Sequence, residues 1–243
     1  MTDRDAHIAS SLYDDYFNWK SWANPFTYSK MDDGYFSAEL AGIPLDGKDV
    51  LEIGFGNGTF VAWARDQGAR MTGTELNADS LLAAVEHDLP VLPIDFDKGE
   101  DVLADSFDLI VAFDVFEHLT EAQLRAKLRV ADYILRPGGR IVLRYPNGQS
   151  PFGLSSQNGD ATHILMLSRP KIEQYGASTG LKTVLYRGSS QPSDGSLKRR
   201  AINGIRMVVR VALFRLLNLA MASDVELAPN VLHILRKTAL PNR

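Results

Sequence analysis

The sequence predicts an α/β fold, a largely parallel sheet with helices packed on both faces. Three observations carry this. Strand-like and helix-like patterns alternate over residues 50–148. Phe107–Phe113 is a near-continuous apolar run, as expected of a strand buried on both faces. The β-rich run Asp49–Ile53 passes straight into Gly54, Gly56 and Gly58, and a helical pattern starts at Thr59.

In chain order, residues 1–45 are rich in aromatics and acids and are broken by Pro25 and Gly34, which gives short helices around 5–20 and 31–41. Asp49–Ile53 is the first strand and Thr59–Gln67 the first core helix. Arg70–Thr74 and Ala78–Glu86 repeat the pair. Val91–Ile94 is a third strand and Phe107–Phe113 a fourth. Thr120–Leu135 is a strongly amphipathic helix stopped by Pro137-Gly138-Gly139, and Arg140–Tyr145 is the next strand. Beyond Tyr145 the rhythm changes. Pro146–Thr162 is a loop rich in Gly, Ser and Asn. Arg169–Ser178 reads as a helix, Leu181–Tyr186 as a strand, Gly188–Ser196 as a flexible linker, Ile202–Ala222 as a long helix and Asn230–Arg236 as a last strand. No internal repeat is present.

The 243 residues are 45% hydrophobic and 23% charged, which suits one globular domain over 1–243: a helical cap (1–45), a core (46–188) and a basic helix with the last strand (189–243). The absence of cysteine excludes disulfides, thiolate nucleophiles and cysteine metal sites. Met1–Asp5 is polar and no apolar signal core follows, so a cytoplasmic protein is expected. The net charge of −4 is uneven: Leu197–Ser223 holds Lys198, Arg199, Arg200, Arg206, Arg210 and Arg215 and no acid. An acidic body with one basic segment argues against a nucleic-acid binder. Arginines within the apolar run argue against a membrane span. Segment 198–222 is left with three readings: packing on the sheet, a homodimer contact, or peripheral contact with the inner face of a membrane.

The glycine turn is the strongest local signal. Glycines there permit a sharp bend and let a ligand reach the backbone, and the following helix offers free N–H groups. A plain strand–helix turn without ligand is the competing reading for the turn alone. Two further acids stand at strand ends. Glu75, before Leu76, is placed to take both ribose hydroxyls of a nucleoside, and Asp95 to accept from an adenine amino group with Phe96 against the ring. In open α/β sheets the carboxyl ends of the strands form the ligand crevice.

Together these residues resemble the class I S-adenosylmethionine-dependent methyltransferase family. Glu52-Ile-Gly54-Phe-Gly56-Asn-Gly58 is similar to its first motif, Glu75 to its ribose acid and Asp95-Phe96 to its adenine pair. Phe107 through Leu119, ending Glu117-His118-Leu119, is similar to its fourth-strand motif, and Leu135-Arg-Pro-Gly-Gly-Arg140 to the turn before strand five. The likeness spans residues 48–187. A dehydrogenase fits less well, because the glycines run Gly-x-Gly-x-Gly and not Gly-x-Gly-x-x-Gly. The resemblance implies a Rossmann-like doubly wound seven-stranded sheet in the order 3-2-1-4-5-7-6, with an N-terminal helical cap and a helix inserted before the last strand. It implies S-adenosylmethionine as cofactor and S-adenosylhomocysteine as product. Glu52 would lie beneath the amino acid part, with Phe113 and Asp114 flanking the methionyl end. A catalytically silent cofactor-binding scaffold is the alternative.

Methyl transfer is an in-line displacement in which positioning is worth roughly 7–11 kcal/mol. A hydroxyl acceptor also calls for a general base, usually histidine. Of His7, His87, His118, His163 and His233, the catalytic candidates are His118, after strand four, and His163, with Asp160 three residues earlier to orient it. Asp160 as a plain helix cap is the competing reading. No metal is expected, since Asp160 and His163 alone do not make a site. Pro146-Asn-Gly-Gln-Ser-Pro-Phe-Gly153 and Gly159-Asp-Ala-Thr-His163 resemble a subgroup associated with bacterial surface polysaccharide and O-antigen synthesis. That likeness implies O-methylation of a sugar or glycan hydroxyl. A small metabolite such as a quinone or a lipid is the alternative acceptor.

Overall fold

The computed structural model describes residues 24–93, 104–192 and 194–238. The expected helix at 5–20 and the adenine pair Asp95-Phe96 lie outside the described residues.

Six strands form one sheet: β1 (Asp49–Ile53), β2 (Arg70–Thr74), β3 (Phe107–Phe113), β4 (Leu135–Pro146), β5 (Leu181–Gly188) and β6 (Asn230–Lys237). Their order is β2-β1-β3-β4-β6-β5. β2, β1, β3 and β4 run parallel, and β6 pairs antiparallel with both β4 and β5. The expected third strand at 91–94 is reduced, among the described residues, to one parallel bridge between Gly73 and Val91. Among the described residues the sheet therefore has six strands, in the relative order 2-1-4-5-7-6 of the seven expected, with this bridge where the outermost strand was expected.

Helices flank the sheet: α1 (Lys30–Glu39), α2 (Thr59–Asp66), α3 (Ala78–Glu86), α4 (Glu121–Ile134), α5 (Leu154–Asn158), α6 (Arg169–Tyr175) and α7 (Leu197–Ala220). Local chemistry sets their starts. Ser29 with Asp32, and Thr120 with Gln123, form reciprocal capping boxes that satisfy otherwise orphaned N–H groups. Asn77, Ser168 and Ser196 cap α3, α6 and α7. α6 stops at Tyr175, short of the expected Ser178, because Gly176 takes its C-cap, and α7 starts at Leu197, five residues before the expected Ile202.

Alternation along the strands divides the core in two. Val50, Leu109, Val111 and Val142 face one layer with α1, α2 and α3, while Leu51, Ile110, Ile141 and Leu143 face the other with α4 and α6. Burying each such side chain contributes about 1.5–3 kcal/mol. With both faces covered, ligands are left the sheet's ends. The Pro137-Gly138-Gly139 turn is absorbed into β4 as an irregularity: Phe107 pairs with Leu135, but Leu109 already pairs with Arg140. The expected linker at 188–196 is tied down at its start, where Glu39 accepts hydrogen bonds from the hydroxyls of Ser189 and Ser190 and from the Ser190 N–H.

Candidate active site

The carboxyl end of β1 opens into three successive glycines with positive φ: Gly54 (69°), Gly56 (54°) and Gly58 (71°). An L side chain there is strained, and a Cβ on Gly54 would stand 2.8 Å from Val115 Cγ2. The turn thus packs directly on the segment that follows β3. Phe26 covers its other side, within 2.8 Å of where a Gly58 Cβ would stand. Glu75, at the end of β2, accepts N–H bonds from Gly56 (2.8 Å), Leu76 (2.6 Å) and Asn77 (3.0 Å), so its carboxylate is pinned across the mouth of the turn. Leu76 is exposed beside it.

Glu52, inside β1, is 4% exposed, and its Oε2 has no hydrogen-bond partner. Burial, and then the charge of Glu75, push its carboxyl well above the ordinary range. An orphaned buried acid beneath a glycine turn is what a ligand ammonium would satisfy. The residues present therefore fit the cofactor the sequence implies.

Past β3, Phe113 packs into an aromatic group with Phe36 (5.8 Å, stacked) and Phe60 (5.4 Å, edge-on). Asp114 holds φ at +56°, sparsely populated for a residue other than glycine, and pairs with Arg144 at 2.7 Å. Arg144 in turn donates to the Tyr35 hydroxyl at 3.0 Å. A small cavity of about 160 Å³ opens beside this pair, with Arg210 of α7 and Asn230 in its wall.

The two histidine candidates meet. The rings of His118 and His163 stand edge to face with centroids 4.6 Å apart. Asp160 stands near both rings. It caps no helix, and its closest partner is Thr162, whose hydroxyl and N–H both donate to Asp160 Oδ1. The Thr162 hydroxyl then stands 2.8 Å from His118 Nδ1, so Asp160 orients His118 through Thr162. Toward His163 Nε2 its Oδ2 comes only to 4.0 Å. Burial alone would raise the Asp160 carboxyl, but the Thr162 hydrogen bonds and the two imidazoles outweigh it and hold the group below its usual range. His163 is fixed instead by the Gln157 carbonyl, 3.0 Å from Nδ1.

The residue missing from the sequence candidates is Glu117. It lies fully buried in the short turn Phe116–His118, and its Oε1 is 3.9 Å from His163 Nε2. The signal was present in Asp114-Val-Phe-Glu117-His118, two acids and a histidine following directly on the apolar run of a buried strand. Among the described residues, Glu52, Gly54, Gly56, Gly58, Glu75 and Leu76 gather at one end of the sheet, where Gly54 packs on Val115, next in sequence to Asp114, while His118, Asp160 and His163 form a second group joined through Thr162 and the ring contact.

A family model described as a methyltransferase domain matches residues 29–186. The ubiquinone biosynthesis O-methyltransferase of Chromobacterium violaceum is 31% identical over 131 residues, 51% of this chain and 56% of that protein. Its namesake from Idiomarina loihiensis is 33% identical over 103 residues, 40% of this chain and 42% of that protein. The chain thus spans about half the length of these curated relatives. Among solved structures, a SAM-dependent methyltransferase from Archaeoglobus fulgidus superposes with a TM-score of 0.63 at 19% identity, covering 86% of this chain and 95% of that one. Another from Mesorhizobium loti gives 0.60 at 16%, covering 85% and 99%. These two share the fold. The family match covers well over half of the chain, along the same strands that build the crevice, and the chain belongs to the methyltransferase domain family.

Proposed function

We propose that this methyltransferase moves a methyl group from S-adenosylmethionine to a hydroxyl oxygen of a small lipophilic acceptor of the quinone or lipid class. One observation carries the reading. The glycine turn touches Val115, so a cofactor laid on that turn borders the segment that leads into Glu117 and His118. When bound, the cofactor supplies an electrophilic methyl on a sulfonium, with a good leaving group built in. The chain supplies the rest. Glu52 takes the ammonium, the Gly54–Gly58 backbone lies along the methionine and ribose, and Glu75 takes the ribose hydroxyls. Asp95 and Phe96 hold the adenine by their place in the motif. Phe113 and Asp114 border the methionyl end. His118 and His163 receive the acceptor hydroxyl, with Asp160 and Gln157 fixing their rings.

The acceptor class follows the relatives named for ubiquinone biosynthesis, which favour a quinone over the sugar or glycan hydroxyl expected from the loop sequences. Helix α7 agrees with it. None of its residues is buried, Leu197, Ile205, Val208, Leu216 and Leu219 are exposed, and its cations stand without an acid among them. No helix among the described residues is long and apolar enough to cross a membrane. In this reading α7 lies on an anionic lipid surface, where a lipophilic acceptor resides.

The test supplies S-adenosylmethionine labelled in its methyl group with two acceptors, an isoprenyl catechol and a sugar-nucleotide or glycan hydroxyl. Label should enter the catechol. Label in the glycan alone would overturn the acceptor class, and label in neither would remove the assignment to O-methylation.

A further inference from the structure

Glu117 lacks something that the histidine chemistry does not provide. Its side chain is wholly buried, and neither carboxylate oxygen has a hydrogen-bond partner. An unpaired buried carboxylate costs several kcal/mol. Proteins keep buried charges where they are paired or coordinate an ion.

The surrounding groups have the right chemistry for an ion. One ligand atom each from Glu117, His118 and His163 lie within 4.8 Å of one another, and among the described residues this is the group of three or more that could hold a metal. The hydrogen bonds also fix the ring protons. The Gln157 carbonyl can only accept, so His163 Nδ1 carries the proton and Nε2 the lone pair. The Thr162 hydroxyl spends its proton on Asp160, so it accepts from His118 Nδ1, as does the Thr162 carbonyl at 3.3 Å, and the lone pair again falls on Nε2. Metal-binding histidines are held in this way by carbonyls and carboxylates behind them. The sequence offered only Asp160 and His163, too few for a site. The fold adds Glu117 and His118 and moves Asp160 behind the ligands.

We propose that Glu117, His118 and His163 form a binding site for a divalent transition-metal ion, with two imidazoles and one carboxylate as ligands. Such a set suits zinc, iron(II) or manganese(II) and leaves coordination positions open. Ligand atoms about 2.0–2.2 Å from such an ion in tetrahedral directions stand about 3.3–3.6 Å apart, so closing a spread of up to 4.8 Å needs a combined side-chain shift of about 1 Å. The ion's charge would satisfy Glu117. An acceptor oxygen in an open position would lose its proton more readily. That last step rests on the O-methyltransferase reading above, whereas the binding of the ion does not.

The full-length chain, stripped with chelator, is titrated calorimetrically with Zn²⁺ alone and with Mn²⁺ alone. We expect one ion per chain with Kd tighter than about 10 μM for at least one of the two, and a higher Tm on binding. Glu117→Gln and His163→Ala should each weaken binding at least tenfold, while S-adenosylmethionine affinity, which also reports that the variants are folded, stays unchanged. If Glu117→Gln does not fold, His118→Gln takes its place. No saturable binding would overturn the site, as would binding retained in the variants. Full methyl transfer by the stripped protein would remove the ion's part in acceptor activation and leave the methyltransferase reading standing. Stoichiometric binding without transfer to any hydroxyl would support the site and count against the acceptor reading.

Discussion

The two ends of the sheet treat the same side chain in opposite ways. At the amino ends, Asp49 and Asp108 are saturated. Arg136 bridges both, Arg70 pairs with Asp49 at 2.6 Å, and Lys48 reaches Asp108 at 3.4 Å. Both carboxyls are held below their ordinary range: Asp49 chiefly by Arg70, and Asp108, against its burial, by the Asp49 N–H and the cations. At the carboxyl ends, Glu52 and Glu117 are buried and orphaned, and both are pushed up. One end spends its acids on stability. The other keeps Glu52 and Glu117 short of hydrogen-bond partners at a cost, and such perturbed groups cluster where ligands bind.

That contrast can be broken by mutation. The largest expected effect is His163→Ala, which should lower methyl transfer about 10²–10⁴-fold with S-adenosylmethionine affinity unchanged. A parallel loss of affinity would merge the two halves of the carboxyl end into one unit. Gly54→Ala comes next. With φ at +69° and Val115 in its way, it should cost about 1–3 kcal/mol and weaken the cofactor more than tenfold. Asp108→Asn, at the opposite end, should cost about 1–2 kcal/mol of stability in denaturant titration, the partly exposed ion pairs being discounted, and leave cofactor affinity unmoved.

A pH test sharpens the comparison further. His233 is buried between the Tyr145 and Thr183 hydroxyls, each 2.8 Å away, and burial lowers its pKa to about 4. The unfolded chain then binds this proton more readily than the folded one. Stability should be full above about pH 6.5 and fall, by up to about 3 kcal/mol, as pH drops toward 4. His233→Gln should flatten that part of the profile. The smallest expected effect is Leu213→Glu on the exposed helix α7, which should move stability by less than ~0.5 kcal/mol and reduce pelleting with anionic vesicles. Unchanged pelleting would sever α7 from the membrane reading.

The comparison also shows what the sequence could reveal. The cofactor end is built from backbone and one acid within a single strand–turn–helix and its neighbour, so Glu52, the three glycines and Glu75 stand out in order along the chain. The acceptor end is made of side chains far apart in sequence. The His118–Thr162 contact spans 44 residues, and nothing local announced that Asp160 would serve His118 or that Glu117 would face His163. The long strand β4 hid its irregularity for a similar reason: Pro137-Gly138-Gly139 carries a stop signal that pairing with β3 overrides. Helix α7 was legible as a helix, but the absence of any buried residue in it was not, because an apolar stripe ordinarily marks burial.

The most direct test of the central claim, that the orphaned acids at the carboxyl end await ligand charge, is calorimetric titration of S-adenosylmethionine near pH 6 in two buffers of different ionisation enthalpy. An ammonium settling on Glu52 lowers its pKa, so binding should release up to ~1 proton and tighten as pH rises. Glu52→Gln should abolish both effects and weaken the cofactor. Binding of equal strength in wild type and variant, with no proton exchanged, would contradict the account.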